Sequence, residues 1–154
     1  MKRIKVLIII LCILVLGLVC MLLTNNNDFK KPSFESNAIV LKDNSEYIDK
    51  VLTIKKGYSL FIEGNPKYEN GYLYINFYVN TDDNIFLKVR ILDKDEIIGE
   101  SGLLKTGEFL EKVKVKPMDY VGKELTYLIM GYEKDTYYSA GEVKLTVKVG
   151  DNNE

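Results

Sequence analysis

The chain has 154 residues, a formal net charge of −1, two cysteines and no histidine. Nucleic-acid-binding proteins are usually strongly basic, so this charge balance argues against nucleic acid as a partner. The lack of histidine excludes serine–histidine and cysteine–histidine catalysis, and because the only two cysteines are Cys12 and Cys20 the usual zinc sites are excluded as well. The near-neutral total conceals two unlike parts, a basic and apolar N-terminus and a mildly acidic remainder.

An unbroken apolar run occupies residues 6–23 and contains no charged, amide or hydroxyl side chain. A helix of this length rises about 27 Å, close to the roughly 30 Å hydrocarbon core of a bilayer. The run is therefore predicted to be a transmembrane anchor that follows a short stub, residues 1–5. Because Lys2, Arg3 and Lys5 precede it, the positive-inside rule predicts a cytoplasmic N-terminus and an extracytoplasmic C-terminal domain.

Two other interpretations of this segment stay open. A cleaved signal peptide would need small residues of the Ala-x-Ala kind at its cleavage site, and the end of the run lacks them. A lipoprotein signal would need a small residue before the lipidated cysteine, but Val19 precedes Cys20 and Leu11 precedes Cys12. An uncleaved anchor requires no missing feature and is favoured. Since both cysteines lie in this run, the remainder of the chain cannot form an internal disulfide.

The rest of the chain divides by composition. Residues 24–37 are polar, contain one proline and show no periodicity, which predicts a linker. Residues 38–150 have a dominant period of two and are predicted to form the extracytoplasmic domain. Residues 151–154 form a polar tail.

Alternation of apolar and polar residues within the domain predicts strands with one buried face. It is clearest from Val143 to Val149, whereas residues 125–132 are almost continuously apolar, as in a central strand. The predicted strands are residues 38–42, 51–54, 58–63, 71–80, 85–92, 112–116, 125–132 and 142–149. Seven or eight short strands separated by turn residues predict an all-β, immunoglobulin-like two-sheet sandwich, without the cysteine and tryptophan hallmarks of true immunoglobulin domains.

Three stretches carry a resemblance to a known group. They are Ile91-Leu92-Asp93-Lys94-Asp95, Gly99-Glu100-Ser101-Gly102-Leu103-Leu104-Lys105-Thr106-Gly107 and Tyr137-Tyr138-Ser139-Ala140-Gly141-Glu142-Val143. On these residues the chain resembles small membrane-tethered β-sandwich proteins of low-GC Gram-positive bacteria, which often have proline in place of Thr106. The resemblance covers residues 71–149. It implies the fold and an envelope location, and it brings no functional residues.

Motifs of catalysis and ligand binding are mostly missing. There is no Walker loop or dinucleotide fingerprint, and Ser101 lacks the spacing of a nucleophile elbow. The carboxylate pairs Asp82/Asp83 and Asp93/Asp95 fall in predicted turns, where aspartate usually bonds the local backbone. Calcium binding and carboxylate catalysis are the alternatives for these pairs. We predict no catalytic residues, no metal and no cofactor.

The tyrosines suggest a binding face. Tyr72, Tyr74 and Tyr78 are predicted to lie on one side of the strand at residues 71–80, opposite its apolar side. Exposed aromatic residues are enriched in protein interfaces and can stack on sugars. The alternative is that these rings only cover the sheet.

Two rows of lysines could meet anionic wall polymers or lipid headgroups. They are Lys112/Lys114/Lys116 and Lys144/Lys148. Outward lysines also protect edge strands from pairing with other chains, which is the alternative.

Together these observations predict a non-catalytic binding or assembly module of the cell envelope. We expect a single-pass protein of the cell membrane whose partner is an envelope protein or a wall polymer. A carboxylate-dependent envelope hydrolase is one alternative. A lipoprotein or structural subunit of a secretion or conjugation machine is the other.

Overall fold

The computed structural model describes residues 10–17, 30–43, 45–55, 58–82 and 84–150, together with residues 4, 6 and 19. The chain divides into two compact units, Met1–Lys31 and Pro32–Glu154.

In the first unit, residues 10–17 are helical. Among the described residues, no helix combines the length and the apolar character that crossing a membrane requires. Most of the predicted stub and about half of the predicted anchor (residues 6–23) lie outside the described residues, as do residues 24–29 of the predicted linker and the tail.

The second unit consists mainly of strands in two antiparallel sheets, a β-sandwich-like arrangement that confirms the predicted all-β class. One sheet has the order β1-β8-β5-β3-β2, with β4 also paired to β5, and the other has the order β10-β9-β6-β7. The elements are β1 (Ile39–Val40), α1 (Ser45–Ile48), β2 (Leu52–Lys55), β3 (Tyr58–Phe61), β4 (Lys67–Glu69), β5 (Tyr72–Val79), β6 (Ile85–Asp93), β7 (Glu96–Glu100), β8 (Glu108–Lys114), β9 (Glu124–Glu133) and β10 (Ser139–Lys148).

The apolar side chains of the period-two pattern form the core, as the sequence predicts. On β5, the residues Leu73, Ile75, Phe77 and Val79 are all fully buried. Strand β9 pairs with β10 on one side and β6 on the other, so its apolar residues lie at the centre of their sheet. Burial of such side chains contributes about 1.5–3 kcal/mol each, which is the main driving force for folding.

Tyr58 joins the two sheets. This residue of β3 is 1% exposed, and its hydroxyl donates a hydrogen bond of 2.8 Å to the carbonyl of Gly141 on β10. Its ring tip occupies the space that a Cβ at Gly131 of β9 would need, so only glycine fits there. Burial raises the pKa of Tyr58, and the hydroxyl therefore stays protonated as a donor.

The domain begins earlier than the sequence predicts. Ser33 and Glu35, assigned to the linker, exchange backbone hydrogen bonds with Leu103. The Glu35 carboxylate also accepts a 2.6 Å hydrogen bond from the backbone of Gly102. Phe34 packs edge-on against Phe86 with ring centroids 5.0 Å apart. A polar composition with one proline suggested a tether, but these contacts make Pro32 the start of the domain.

Three elements were not predicted. Strand β4 has three residues and β7 contains Gly99 between charged ends, so neither shows a clear alternation. Helix α1 has only four residues, too few to establish a helical period. The predicted strand at residues 38–42 shortens to two residues. The described part of the chain therefore has ten strands, where the sequence predicts seven or eight.

Candidate interaction surface

Strands β5 and β8 create a surface on the outer face of the six-stranded sheet. They pair antiparallel, with Tyr74 opposite Lys112 and Tyr72 opposite Lys114. Directly opposite residues of an antiparallel pair project from the same face of the sheet. Leu73 and Val113, the pair between them, are buried in the core. The tyrosines and lysines consequently lie together on the outer side.

Lys112 lies against both tyrosine rings. Its Nζ is 5.2 Å from the centroid of the Tyr72 ring and 4.9 Å from that of Tyr74. It also donates a 3.3 Å hydrogen bond to the Tyr74 hydroxyl. All three side chains are partly exposed. We name Tyr72, Tyr74 and Lys112 the tyrosine–lysine cluster.

The cluster keeps its positive charge. The hydrogen bond to Tyr74 is the main cause that raises the pKa of Lys112, and the charge of the neighbouring Glu111 adds to it. The negative face of an aromatic ring attracts a lysine ammonium, which restrains this group. The cluster therefore presents two partly exposed rings and one cation on the outer face of the sheet.

A cleft of about 420 Å³ opens beside Tyr72. This volume lies within the range of small-ligand pockets, roughly 300–1,000 Å³. Its polar lining carries both signs of charge. The lining residues are Glu35, Asn37, Tyr72, Glu100, Leu110, Glu111, Lys112, Val113 and Lys114.

A second cleft, of about 330 Å³, lies beside Tyr74. Its lining includes Asn76, which takes a left-handed φ of 42° where the pairing of β5 with β8 shifts register. Glu63, Asn65, Lys67, Glu69 and Glu111 complete this lining with Tyr74. The tyrosine–lysine cluster thus lies between two clefts of mixed charge.

The third predicted tyrosine does not join the surface. Tyr78 is only 1% exposed, although it also lies on β5. The ring of Tyr47, from helix α1, covers it at a centroid distance of 6.0 Å. Tyr47 also contacts the rings of Phe61 and Phe109 at 5.3 and 5.1 Å. We name Tyr47, Phe61, Tyr78 and Phe109 the aromatic cluster. The predicted face of three exposed tyrosines is corrected to two, because α1 crosses one end of the sheet.

Two of the three carboxylates that line the first cleft, Glu35 and Glu100, have structural partners. The Glu100 carboxylate forms ion pairs with Lys88 Nζ at 3.0 Å and with Arg90 Nε at 2.8 Å. Burial alone would raise the pKa of Glu100, but the hydrogen bonds from Arg90 and Lys88 outweigh it and lower this pKa. Glu100 is therefore ionised at neutral pH, which is unsuited to a general acid. The Glu35 carboxylate accepts the hydrogen bond from the backbone N–H of Gly102.

The remaining candidate carboxylates that the structure describes, and Ser101, line neither cleft. Asp93 lies 3.5 Å from Lys123, and Asp83 is outside the described residues. Within the described ranges, no three Asp, Glu, His or Cys side chains come together to hold a metal ion. The Ser101 hydroxyl is buried, where it accepts from the Val89 amide at 3.0 Å and donates to a carbonyl at 2.8 Å.

The two lysine rows do not form one surface. Lys112 and Lys114 lie on the outer face of the six-stranded sheet, while Lys116 forms an ion pair with Glu96. Lys144 and Lys148 are exposed on β10, in the other sheet. A single anionic polymer would therefore meet only part of the predicted basic surface.

Comparison of the chain with protein-family models, with curated proteins and with solved structures gives no match.

The sequence pattern indicates the tyrosines and Lys112 as separate candidates but does not show that they are in contact. The missing information was the pairing of β5 with β8, which are separated by two strands in the chain. Tyr47 was missed as well, since no periodic pattern connects residues 45–48 to β5. The alternation on β5 was the one available signal, and it correctly placed Tyr72 and Tyr74 on the outer face.

Proposed function

We propose that the domain is a non-catalytic binding module whose partner docks on the tyrosine–lysine cluster. The observation that carries this proposal is the position of Lys112 between the partly exposed rings of Tyr72 and Tyr74. Tyrosine supplies a large contact area at a small cost in side-chain entropy, and tyrosines are enriched among interface residues that dominate binding energy. The two flanking clefts provide room for side chains of a partner.

A protein partner fits the charges of this surface better than a wall polymer does. Glu63, Glu69 and Glu111 lie with Lys67 around the second cleft, and acidic residues also line the first. A polyanion would be repelled by these carboxylates. A protein surface can match both signs, and such complementarity mainly provides specificity.

The sequence supports a cellular location for this module. We propose that residues 6–23 anchor it in the cell membrane with the N-terminus in the cytoplasm, and that residues 32–150 act in the envelope as an immunoglobulin-like domain. The apolar run, the basic residues before it and the resemblance to membrane-tethered proteins of Gram-positive bacteria support this arrangement. Protease added to cells stripped of their wall should then digest the domain.

Photocrosslinking in intact cells tests the binding face. A photoreactive phenylalanine analogue at Tyr72 or Tyr74 retains an aromatic ring at the surface. We expect each position to yield one discrete protein adduct, which mass spectrometry of the isolated adduct identifies. The same analogue at Tyr138, a tyrosine that is 64% exposed beside the other sheet, is the matched control and should not yield that adduct.

Truncation then measures the energy of the contact. With the identified partner, Tyr74→Ala should weaken binding by about 2 kcal/mol, or roughly 30-fold, whereas Tyr138→Ala should leave the affinity unchanged. Equal loss in both variants would show that the cluster is not the binding face. Crosslinking to polymer instead of protein would replace the protein partner with a wall polymer.

A further inference from the structure

Strand β10 provides the longest free edge of the domain. It has ten residues, and within the part of the chain that the structure describes its only strand partner is β9. The other described strands with a single partner, β1, β2, β4 and β7, have two, four, three and five residues. A strand edge presents unpaired N–H and C=O groups on which another strand can form.

Strand β10 carries the outward Lys144 and Lys148, but other devices that usually protect such an edge are missing from it. From Glu142 to Lys148 it pairs with β9 in continuous register, and its irregularity lies before Gly141, near one end. Its inward side chains are all apolar, so no inward charge opposes pairing. Two of them, Val143 and Leu145, pack against the core but stay partly exposed. A strand added along this edge would cover both.

The charges on the outward side chains of β10 indicate which strand could pair with its free edge. Glu142, Lys144, Thr146 and Lys148 are exposed in that order. Neither Glu142 nor Lys148 takes part in an ion pair between described residues. We propose that β10 pairs antiparallel with β10 of a second copy of this chain, around a two-fold axis at Leu145.

This register satisfies both faces of the new pair. Opposite residues in an antiparallel pair share a face, so Glu142 meets Lys148 of the second copy, and the reverse pair repeats it. On the inner side, Val143 meets Val147 and Leu145 meets its own copy. The two four-stranded sheets then become one sheet of eight strands.

Neighbouring registers of the strand pair would be less stable. An axis at Lys144 places that lysine opposite its own copy, and an axis at Thr146 places Lys144 opposite Lys148 twice. Like charges directly opposite each other destabilise a strand pair. An axis between two residues would place inward side chains opposite outward ones. The charge pattern therefore selects Leu145 as the centre.

Charge reversal on the full-length chain tests the pairing. Light scattering coupled to size exclusion, with the detergent contribution subtracted, should give the mass of a dimer for the wild type. Glu142→Lys or Lys148→Glu converts two attractive pairs into two repulsive pairs and should weaken dimerisation about ten- to thirty-fold. Mixing these two variants restores both attractive pairs, so the mixture should dimerise like the wild type.

Lys144→Glu is the matched control, because it reverses the same charge on the same strand but faces Thr146 of the second copy. It should dimerise within about two-fold of the wild type. A wild-type monomer would overturn the proposal and leave the edge to a strand of another protein. The proposal would also be overturned if Glu142→Lys and Lys148→Glu left dimerisation unchanged, or if mixing these two variants did not restore it.

Discussion

Two regions of the same sheet face differ in what covers them. At one end of β5, Tyr72 and Tyr74 are partly exposed beside Lys112. At the other end, Tyr78 is 1% exposed beneath Tyr47 of helix α1. All three tyrosines of β5 lie on one strand and belong to one residue type, so neither strand propensity nor side-chain chemistry explains the difference.

The difference comes from the course of the chain after β1. The segment with α1 crosses the sheet at one end and places the Tyr47 ring among Phe61, Tyr78 and Phe109. No element from the described residues makes a comparable aromatic contact with Tyr72 or Tyr74. An aromatic residue on an outer face therefore stabilises the fold where a segment covers it, and is available for binding where none does.

The largest expected effect contrasts Tyr78 with Tyr74. Tyr78→Ala removes a buried ring and leaves a cavity under Tyr47, which should lower the free energy of unfolding by about 3–5 kcal/mol. Tyr74→Ala removes a partly exposed ring and should lower it by about 1 kcal/mol or less. Urea unfolding of the full-length variants measures both values, with Tyr72→Ala as a second variant from the open end. Equal losses at Tyr74 and Tyr78 would remove the distinction between the two regions.

A smaller effect is expected at the cover itself. Tyr47→Ala should lower the free energy of unfolding by about 2 kcal/mol, because aromatic pairs contribute about 0.5–1.5 kcal/mol each and Tyr47 contacts three rings. Its effect should depend on Tyr78. In a double-mutant cycle, Tyr47→Ala combined with Tyr78→Ala should cost less than the sum of the two by about 1 kcal/mol. Strict additivity would mean that Tyr47 does not cover Tyr78.

Much of the fold was predictable from alternation. Long strands with a clear period, such as β5, β6 and β10, are located by it, and the almost continuous apolar run of β9 correctly predicts a central strand. Elements that depend on tertiary contacts were not. Residues 33–35 were predicted to be linker because the segment 24–37 as a whole is mostly polar and has no periodicity, while their attachment depends on Gly102 and Leu103, far away in sequence.

The candidate surface was predictable in part for the same reason. Periodicity gives the face on which a side chain lies, which placed Tyr72 and Tyr74 outward. It does not give the neighbouring strand, so the contact of Lys112 with both rings could not be foreseen. Nor does it show which outer residues another segment covers, and Tyr78 was wrongly included in the exposed face for that reason.

The smallest expected effect concerns the charge of the open region. Tyr74→Phe retains the aromatic ring but removes the hydroxyl that accepts from Lys112 at 3.3 Å. This hydrogen bond is the main cause that raises the pKa of Lys112 above the ordinary value of 10.5, so the substitution should lower this pKa. A raised lysine pKa stabilises the fold below the unfolded pKa, and this contribution is lost as the pH rises through the folded pKa. The wild type should therefore lose this stabilising contribution only above about pH 10, and in the variant the contribution should be smaller.

NMR titration of the Lys112 side chain measures the shift of its pKa, with Tyr138→Phe as a control variant that removes a hydroxyl elsewhere. A Lys112 pKa that is the same in Tyr74→Phe and wild type would show that the ammonium does not use the hydroxyl. The ring contact alone would then hold Lys112 in the tyrosine–lysine cluster.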